Sequence, residues 1–268
     1  MLKVLSVGEG LRDGAMQDIF SSHCKAVNFI QQQQVLTVCC RELCPGYYRV
    51  VLDAPDVSFV QSLRYAGGQV QINNQPCQMG EAKRYRVPDF KAELSVHQIC
   101  HRLSECYHIF RSSSPANSVN SLTLSDQSAG FAQALSTSYR DGLQYFKQGN
   151  YSSAVKCFKG RGFGLTPGGD DFLAGYIMGL AFKQRVQKKD LSEILDLLVY
   201  ESLSENCLTN TFILQARALH PDLDWADFLQ SLGSKNMNPQ EPMSRIFRHG
   251  ASSGYDTLSG FFAAWEII

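Results

Sequence analysis

Lys159-Gly160-Arg161-Gly162-Phe163-Gly164-Leu165-Thr166-Pro167-Gly168-Gly169-Asp170-Asp171-Phe172 is the stretch from which the fold of this chain is read. Five glycines fall between 160 and 169, and an apolar periodicity follows at once. Phe172, Leu173, Tyr176, Ile177 and Leu180 recur at helical spacing, which predicts an amphipathic helix over 171–187. Glycine permits positive φ and lets backbone approach a ligand closely. Exposed N–H groups at a helix start can hold an anion or a developing oxyanion. The turn is not a P-loop, because no Gly-Lys-Ser/Thr ends it.

Working outward, nearly everything from about 128 onward reads as helix. Segments near 128–148, 150–159, 190–204, 207–219, 224–233 and 257–266 carry the pattern, with Asn150, Asp190 and Asp224 as N-caps. Upstream, Val96, Ile99, Cys100, Leu103, Tyr107 and Phe110 recur at the same spacing. Ser112-Ser113-Ser114-Pro115-Ala116-Asn117-Ser118 reads as a flexible surface connection. Before Pro88 the pattern changes to short runs rich in β-branched and aromatic residues. Strands are expected at Ala26-Val27-Asn28-Phe29-Ile30, Val35-Leu36-Thr37-Val38-Cys39, Tyr48-Arg49-Val50-Val51-Leu52, Gln69-Val70-Gln71-Ile72 and Arg84-Tyr85-Arg86-Val87. Pro45-Gly46, Gly67-Gly68 and Asn73-Asn74 punctuate them, and 13–22 reads as a short helix. The expected class is α+β. A β-rich domain at 1–90, a small antiparallel barrel or sandwich, passes through a helix and Ser-rich connection at 91–127 to an α-helical domain at 128–268.

Composition bounds the function. The 268 residues have zero formal net charge, so no global field gathers nucleic acid or a membrane surface. No apolar run reaches the length of a membrane span, and the N-terminal apolar stretch is too short for a signal core. A cytoplasmic location is the expectation. Nine scattered cysteines point to reduced thiols rather than a disulfide framework. The cluster Cys39, Cys40 and Cys44 lacks zinc-site spacing.

A second turn repeats the first. Gly169-Asp170-Asp171-Phe172-Leu173-Ala174-Gly175-Tyr176 and Gly254-Tyr255-Asp256-Thr257-Leu258-Ser259-Gly260-Phe261 both read Gly, any, Asp, any, Leu, small, Gly, aromatic. Each turn opens a helix with an Asp in its first turn and a Gly four residues later. The two helices are therefore expected to cross at Gly175 and Gly260, with Asp171 and Asp256 facing one pocket. An Asp at a helix start is commonly only a cap worth about 1 kcal/mol. Two matching turns, one with paired carboxylates, favour a site. Asp170, Asp171 and Asp256 are the candidate catalytic groups. Gly164, Thr166, Gly168, Gly169, Ser252, Ser253, Gly254, Thr257, Arg161 and His249 are the candidate substrate-binding residues. The carboxylates can hold Mg²⁺ or accept hydrogen bonds from an amide or carbamoyl NH₂ group. Lys159, Arg161, Arg245, Arg248 and His249 are the nearby cations for an anionic ligand.

At these motifs the sequence resembles the AllH-type family, the AllH-like subunit of oxamate carbamoyltransferase. The resemblance rests on Gly164 to Gly175 and on Gly250-Ala251-Ser252-Ser253-Gly254-Tyr255-Asp256-Thr257-Leu258-Ser259-Gly260-Phe261. Weaker agreement at Asn28, at Pro45-Gly46 and over the strand-rich first third extends it along most of the chain. Relatives often carry His where this chain has Ala251, and Ser where it has Gly168. The resemblance implies reversible carbamoyl transfer between oxalurate, or a related ureido acid, and phosphate, giving oxamate and carbamoyl phosphate. It implies a role in purine degradation through allantoin catabolism, in a multi-subunit complex with an FdrA-like subunit and others. Two competing readings are a Mg²⁺-dependent nucleotide-binding or phosphoryl-transfer protein and a non-catalytic ligand-binding subunit.

Overall fold

In a computed structural model of the chain, residues 1–124 and 130–267 are described. Strands come first: β1 (Val4–Gly8), β2 (Gly14–Met16), β3 (Ile19–Ser22), β4 (Ala26–Gln31), β5 (Gln34–Cys39), β6 (Arg49–Leu52), β7 (Leu63–Ala66), β8 (Gln69–Ile72), β9 (Gln75–Pro76) and β10 (Lys83–Tyr85). Helices follow: α1 (Val96–Ser113), α2 (Val119–Leu124), α3 (Gly130–Lys147), α4 (Tyr151–Phe158), α5 (Gly168–Gln187), α6 (Ser192–Ser202), α7 (Cys207–Ala218), α8 (Leu223–Gly233), α9 (Gln240–Ile246) and α10 (Ser253–Ala264). The class is α+β.

One compact unit is Met1–Pro88 with His220–Ala226. Its strands form two open sheets, ordered β10-β1-β6-β5-β4-β3 and β2-β7-β8-β9. Of the expected barrel or sandwich, the barrel is therefore corrected: each sheet ends on short strands such as β9 and β10 that carry no ladder onward. The expected antiparallel pairing is corrected too, since β1 pairs β10 and β5 pairs β6 in parallel. Val27, Phe29, Leu36, Val38, Val50 and Leu52 from one sheet share a core with Met16, Leu63, Val70 and Ile72 from the other. The stretch 13–22 is not a helix. So short a segment makes a poor isolated helix, and it instead pairs as β2 against β7 and β3 against β4. Asn28 fixes the β3–β4–β5 register by donating to Ser21 Oγ (2.8 Å) and accepting from Thr37 Oγ1 (2.7 Å). Within this unit Arg49 pairs with Asp222 (3.1 Å), and the Tyr85 hydroxyl donates to the Pro221 carbonyl (2.8 Å).

The other unit is Asp89–Leu219 with Asp227–Ile268. Its centre is α5. The expectation of one apolar face understates it, because every residue from Gly169 to Phe182 is buried. A helix apolar on all sides is a core helix. The Ser-rich stretch is not a flexible connection: α1 runs to Ser113, Ser118 is buried, and α2 starts at Val119. Residues 125–129, which include the start of the helix expected at 128–148, lie outside the described residues. Asn150 caps α4, accepting from the Ser153 N–H. Asp190 and Asp224 are not the caps expected of them. Leu191 holds the cap position of α6 while Asp190 accepts from the Ser192 N–H. At α8 the cap bond is made by Asp222, to the Trp225 N–H.

Candidate functional site

The two motif helices meet as their glycines require. A Cβ at Gly175 would lie 1.8 Å from the Thr257 carbonyl oxygen, and one at Gly260 1.9 Å from that of Phe172. Only hydrogen fits between the backbones of α5 and α10. That contact brings the two helix starts side by side. The Thr166 hydroxyl donates to Asp171 Oδ2 (3.2 Å) and lies 3.4 Å from the Ser253 hydroxyl. A Cβ at Gly168, the first residue of α5, would stand 2.9 Å from Asp256 Oδ2. Thr166, Gly168 and Asp171 of the first motif thus sit against Ser253 and Asp256 of the second.

The three carboxyls do different work. Asp170 braces the turn: Oδ1 accepts the Gly160 N–H (2.7 Å) and Oδ2 the Thr209 hydroxyl (3.5 Å). Asp256 is wholly buried, with Oδ1 accepting the Val119 N–H at 2.6 Å and Oδ2 left without a hydrogen bond. Asp171 keeps 6% of its surface open and carries the hydroxyl contacts. Burial pushes all three up as acids. Asp170 is pulled back by the Gly160 N–H. Asp171 stands well above the usual carboxylate range; the Ser253 and Thr166 hydroxyls draw it down while the Asp256 charge pushes it further up. Asp256 is pushed up to about 7, moderated by the Val119 N–H and by the nearby Ser252 hydroxyl, which makes no bond of normal geometry to Oδ2. Asp256 therefore titrates close to neutral pH, and Asp171 holds its proton more tightly than an ordinary carboxyl, as proton transfer needs.

The remaining candidates divide. The turn is held open by positive φ at Gly160, Gly162 and Gly164. Gly169 gives its N–H to the Arg161 carbonyl (2.8 Å), and a Cβ there would sit 2.0 Å from the Phe158 carbonyl oxygen. Gly169 therefore serves the tight crossing of the turn. The Arg161 guanidinium is exposed and its Nε reaches the Lys156 carbonyl (3.4 Å); its own carbonyl also accepts the Tyr139 hydroxyl (3.0 Å). Lys159 bonds the carbonyls of Glu201 and Leu203 at the end of α6, and Arg245 pairs with Glu241 and Asp227. Gly254 gives its N–H to the His249 carbonyl (2.9 Å) and packs on Ile246. Thr257 turns its hydroxyl back to the Ser253 carbonyl (2.7 Å). Ser252 is the N-cap of α10, with no side-chain cap bond. Asn206 caps α7 and donates from Nδ2 to the Leu165 carbonyl (2.8 Å), so a third helix start braces the turn.

Two contributors were not among the sequence candidates. Val119 supplies the N–H that holds Asp256, and Tyr139 ties α3 to the turn. The signal for Val119 was present in Pro115-Ala116-Asn117-Ser118, a helix start before the apolar Val119 and Leu122. A metal fits poorly. Asp170 has both oxygens engaged, Asp256 is closed off, and among the described residues these carboxylates do not gather three ligand atoms within 4.8 Å of one another. Among the described residues, no helix is long and apolar enough to cross a membrane.

No curated protein and no solved structure matches the chain. Residues 158–265, which hold both Gly-x-Asp motifs, match the family model of oxamate carbamoyltransferase subunit AllH, the family that these motifs resemble.

Proposed function

We propose that the chain is the AllH-type subunit of a carbamoyltransferase that acts on oxalurate, or a related ureido acid, together with phosphate. The observation that carries this reading is the meeting of Thr166, Asp171 and Ser253 at two adjoining helix starts, inside the segment matched by the family model. The reaction needs an acid for the leaving nitrogen. A phosphate oxygen attacks the ureido carbonyl carbon, the C–N bond breaks, and the nitrogen departs as the oxamate amide with an added proton. Asp171 is the donor of that proton, since burial keeps its carboxyl protonated well above the usual range. Thr166 and Ser253 orient the carbamoyl group, and the start of α5 faces the anionic end. Asp170 and Asp256 hold the frame. Partners in a multi-subunit assembly, one of them FdrA-like, complete the enzyme. Its nine free thiols fit a reducing cytoplasm.

The test is reconstitution. The assembled subunits should convert oxalurate and phosphate to oxamate and carbamoyl phosphate. Asp171→Asn in this chain should lower kcat by about 100-fold or more, the usual worth of a general acid. An assembly that forms but shows no phosphate-dependent cleavage overturns the reading.

A further inference from the structure

Two of the carboxyls at the adjoining helix starts have hydrogen-bond partners that differ in kind. Asp256 Oδ1 accepts the Val119 N–H at 2.6 Å. A backbone N–H can only donate, so it favours a charged oxygen. Asp171 Oδ2 instead meets the Thr166 hydroxyl (3.2 Å), which stands 3.4 Å from the Ser253 hydroxyl. A hydroxyl donates or accepts as it rotates, so it serves a neutral acid as well as an anion. The two carboxyls also share a wall. Asp256 Oδ2 makes no hydrogen bond and lies 2.9 Å from where a side chain at 168 would begin. Positions 168 and 171 are three residues apart on α5 and so are neighbours on one helix face. A charge on Asp256 is therefore felt at Asp171 across bare backbone, in an interior that screens it weakly.

Among the described residues, no cation pairs with either carboxyl. The other titratable groups around them are Asp170 on α5, Tyr139 on α3, Arg161 in the turn and Lys159 at the end of α4. Asp170 is held by the Gly160 N–H and by the Thr209 hydroxyl of α7. Tyr139 gives its hydroxyl to the Arg161 carbonyl, Lys159 gives its ammonium to carbonyls at the end of α6, and the Arg161 side chain is exposed. Helix α2 carries no titratable residue. Two negative charges on Asp171 and Asp256 would thus go uncompensated. We infer, on the carbamoyl-transfer reading above, that Asp256 is a positioning residue for the acid: the two carboxyls hold one proton as a pair, with the charge fixed on Asp256 against the Val119 N–H and the proton kept on Asp171, the member that keeps some surface open. Asp171 then enters each turnover protonated, gives its proton to the leaving nitrogen and takes one back from water.

Infrared difference titration of the full chain between pH 4 and pH 10 reads the pair without turnover. The two carboxyls should release protons in separate steps, that of Asp256 first, near its value of about 7. Asp256→Asn keeps an acceptor for Val119 but removes the charge. It should abolish the earlier step and move the Asp171 step down by about one pH unit or more. Asp171→Asn should abolish the later step. Val119→Pro removes the N–H at the first position of α2, where proline is tolerated, and should draw the two steps together. It guards against a folding defect in the Asn variant. In the assembled enzyme the alkaline limb of kcat should move down with the Asp171 step. An Asp171 step that stays in place in Asp256→Asn overturns the inference. So does a uniform fall in kcat with the limb unmoved, which a purely structural Asp256 would give. If the steps move as expected but Asp171→Asn leaves kcat unchanged, the proton-holding pair stands and the carbamoyl-transfer reading falls.

Discussion

Asp256 is a carboxyl whose folded and unfolded states titrate far apart. Its folded value of about 7 lies above the usual 3.8 because burial penalises the charge. For an acid raised in this way, the folded state binds the proton more tightly. The stabilisation is fully present below about pH 4 and is lost as pH rises through about 7. The difference is of the order of 4 kcal/mol for this residue. Asp170 and Asp171 are raised in the same direction and add to the trend. Denaturant unfolding at pH 5 and pH 8 should therefore show the chain less stable at the higher pH, and Asp256→Asn should flatten the slope. Stability that is level across that range would show that Asp256 is ionised throughout. At this scale the sequence displayed the residue types and their spacing. It did not display which carboxyl was reachable. Asp170, Asp171 and Asp256 look alike in a motif; Asp170 and Asp171 take Gly160 and Thr166 from their own turn, whereas Val119, the partner of Asp256, comes from elsewhere in the chain.

Helices α5 and α10 are joined by absence of side chain. Gly175 and Gly260 each face a carbonyl on the other helix, with no room for a methyl group. Gly175→Ala should cost about 1–3 kcal/mol through overpacking and lower the Tm by several degrees. A wild-type Tm for that variant would mean that the helices stand further apart. Because the crossing sets the distance between the two helix starts, Gly260→Ala should also loosen the Thr166–Ser253 contact and reduce ligand binding more than it reduces stability. This crossing was legible in the sequence, since a repeated Gly four residues after Asp has a direct geometric reading. The short α2 and α9 were not, because elements of 6 and 7 residues carry too little periodicity. The strands β2 and β3 were misread as a helix for the same reason: neighbouring strands, rather than local propensity, decide their state.

Across the whole molecule, the order of strand-rich then helix-rich sequence predicted the α+β class. It did not decide between a closed barrel and open sheets, and it did not predict that β5 and β6 would run in parallel around the Pro45-Gly46 turn. Pairing partners are long-range facts, and turn residues do not specify them. The return of His220–Ala226 to the strand-rich unit was equally hidden. Asp222 is nearly buried beside the half-buried Arg49. Removing one partner leaves the other charge poorly solvated, so Asp222→Asn should cost about 2–4 kcal/mol, discounted for the partial exposure of Arg49. Chemical denaturation would check it, and a loss below about 0.5 kcal/mol would reduce the pair to a surface contact.

That returning segment has a consequence for how the chain is made. A ribosome delivers residues 1–88 long before residue 220 leaves the tunnel. Until then Arg49 has no Asp222 and the Tyr85 hydroxyl has no Pro221 carbonyl. The first-synthesised unit is thus the one that must wait, finishing only after most of the helical unit, with its Thr166–Asp171 turn, has already emerged.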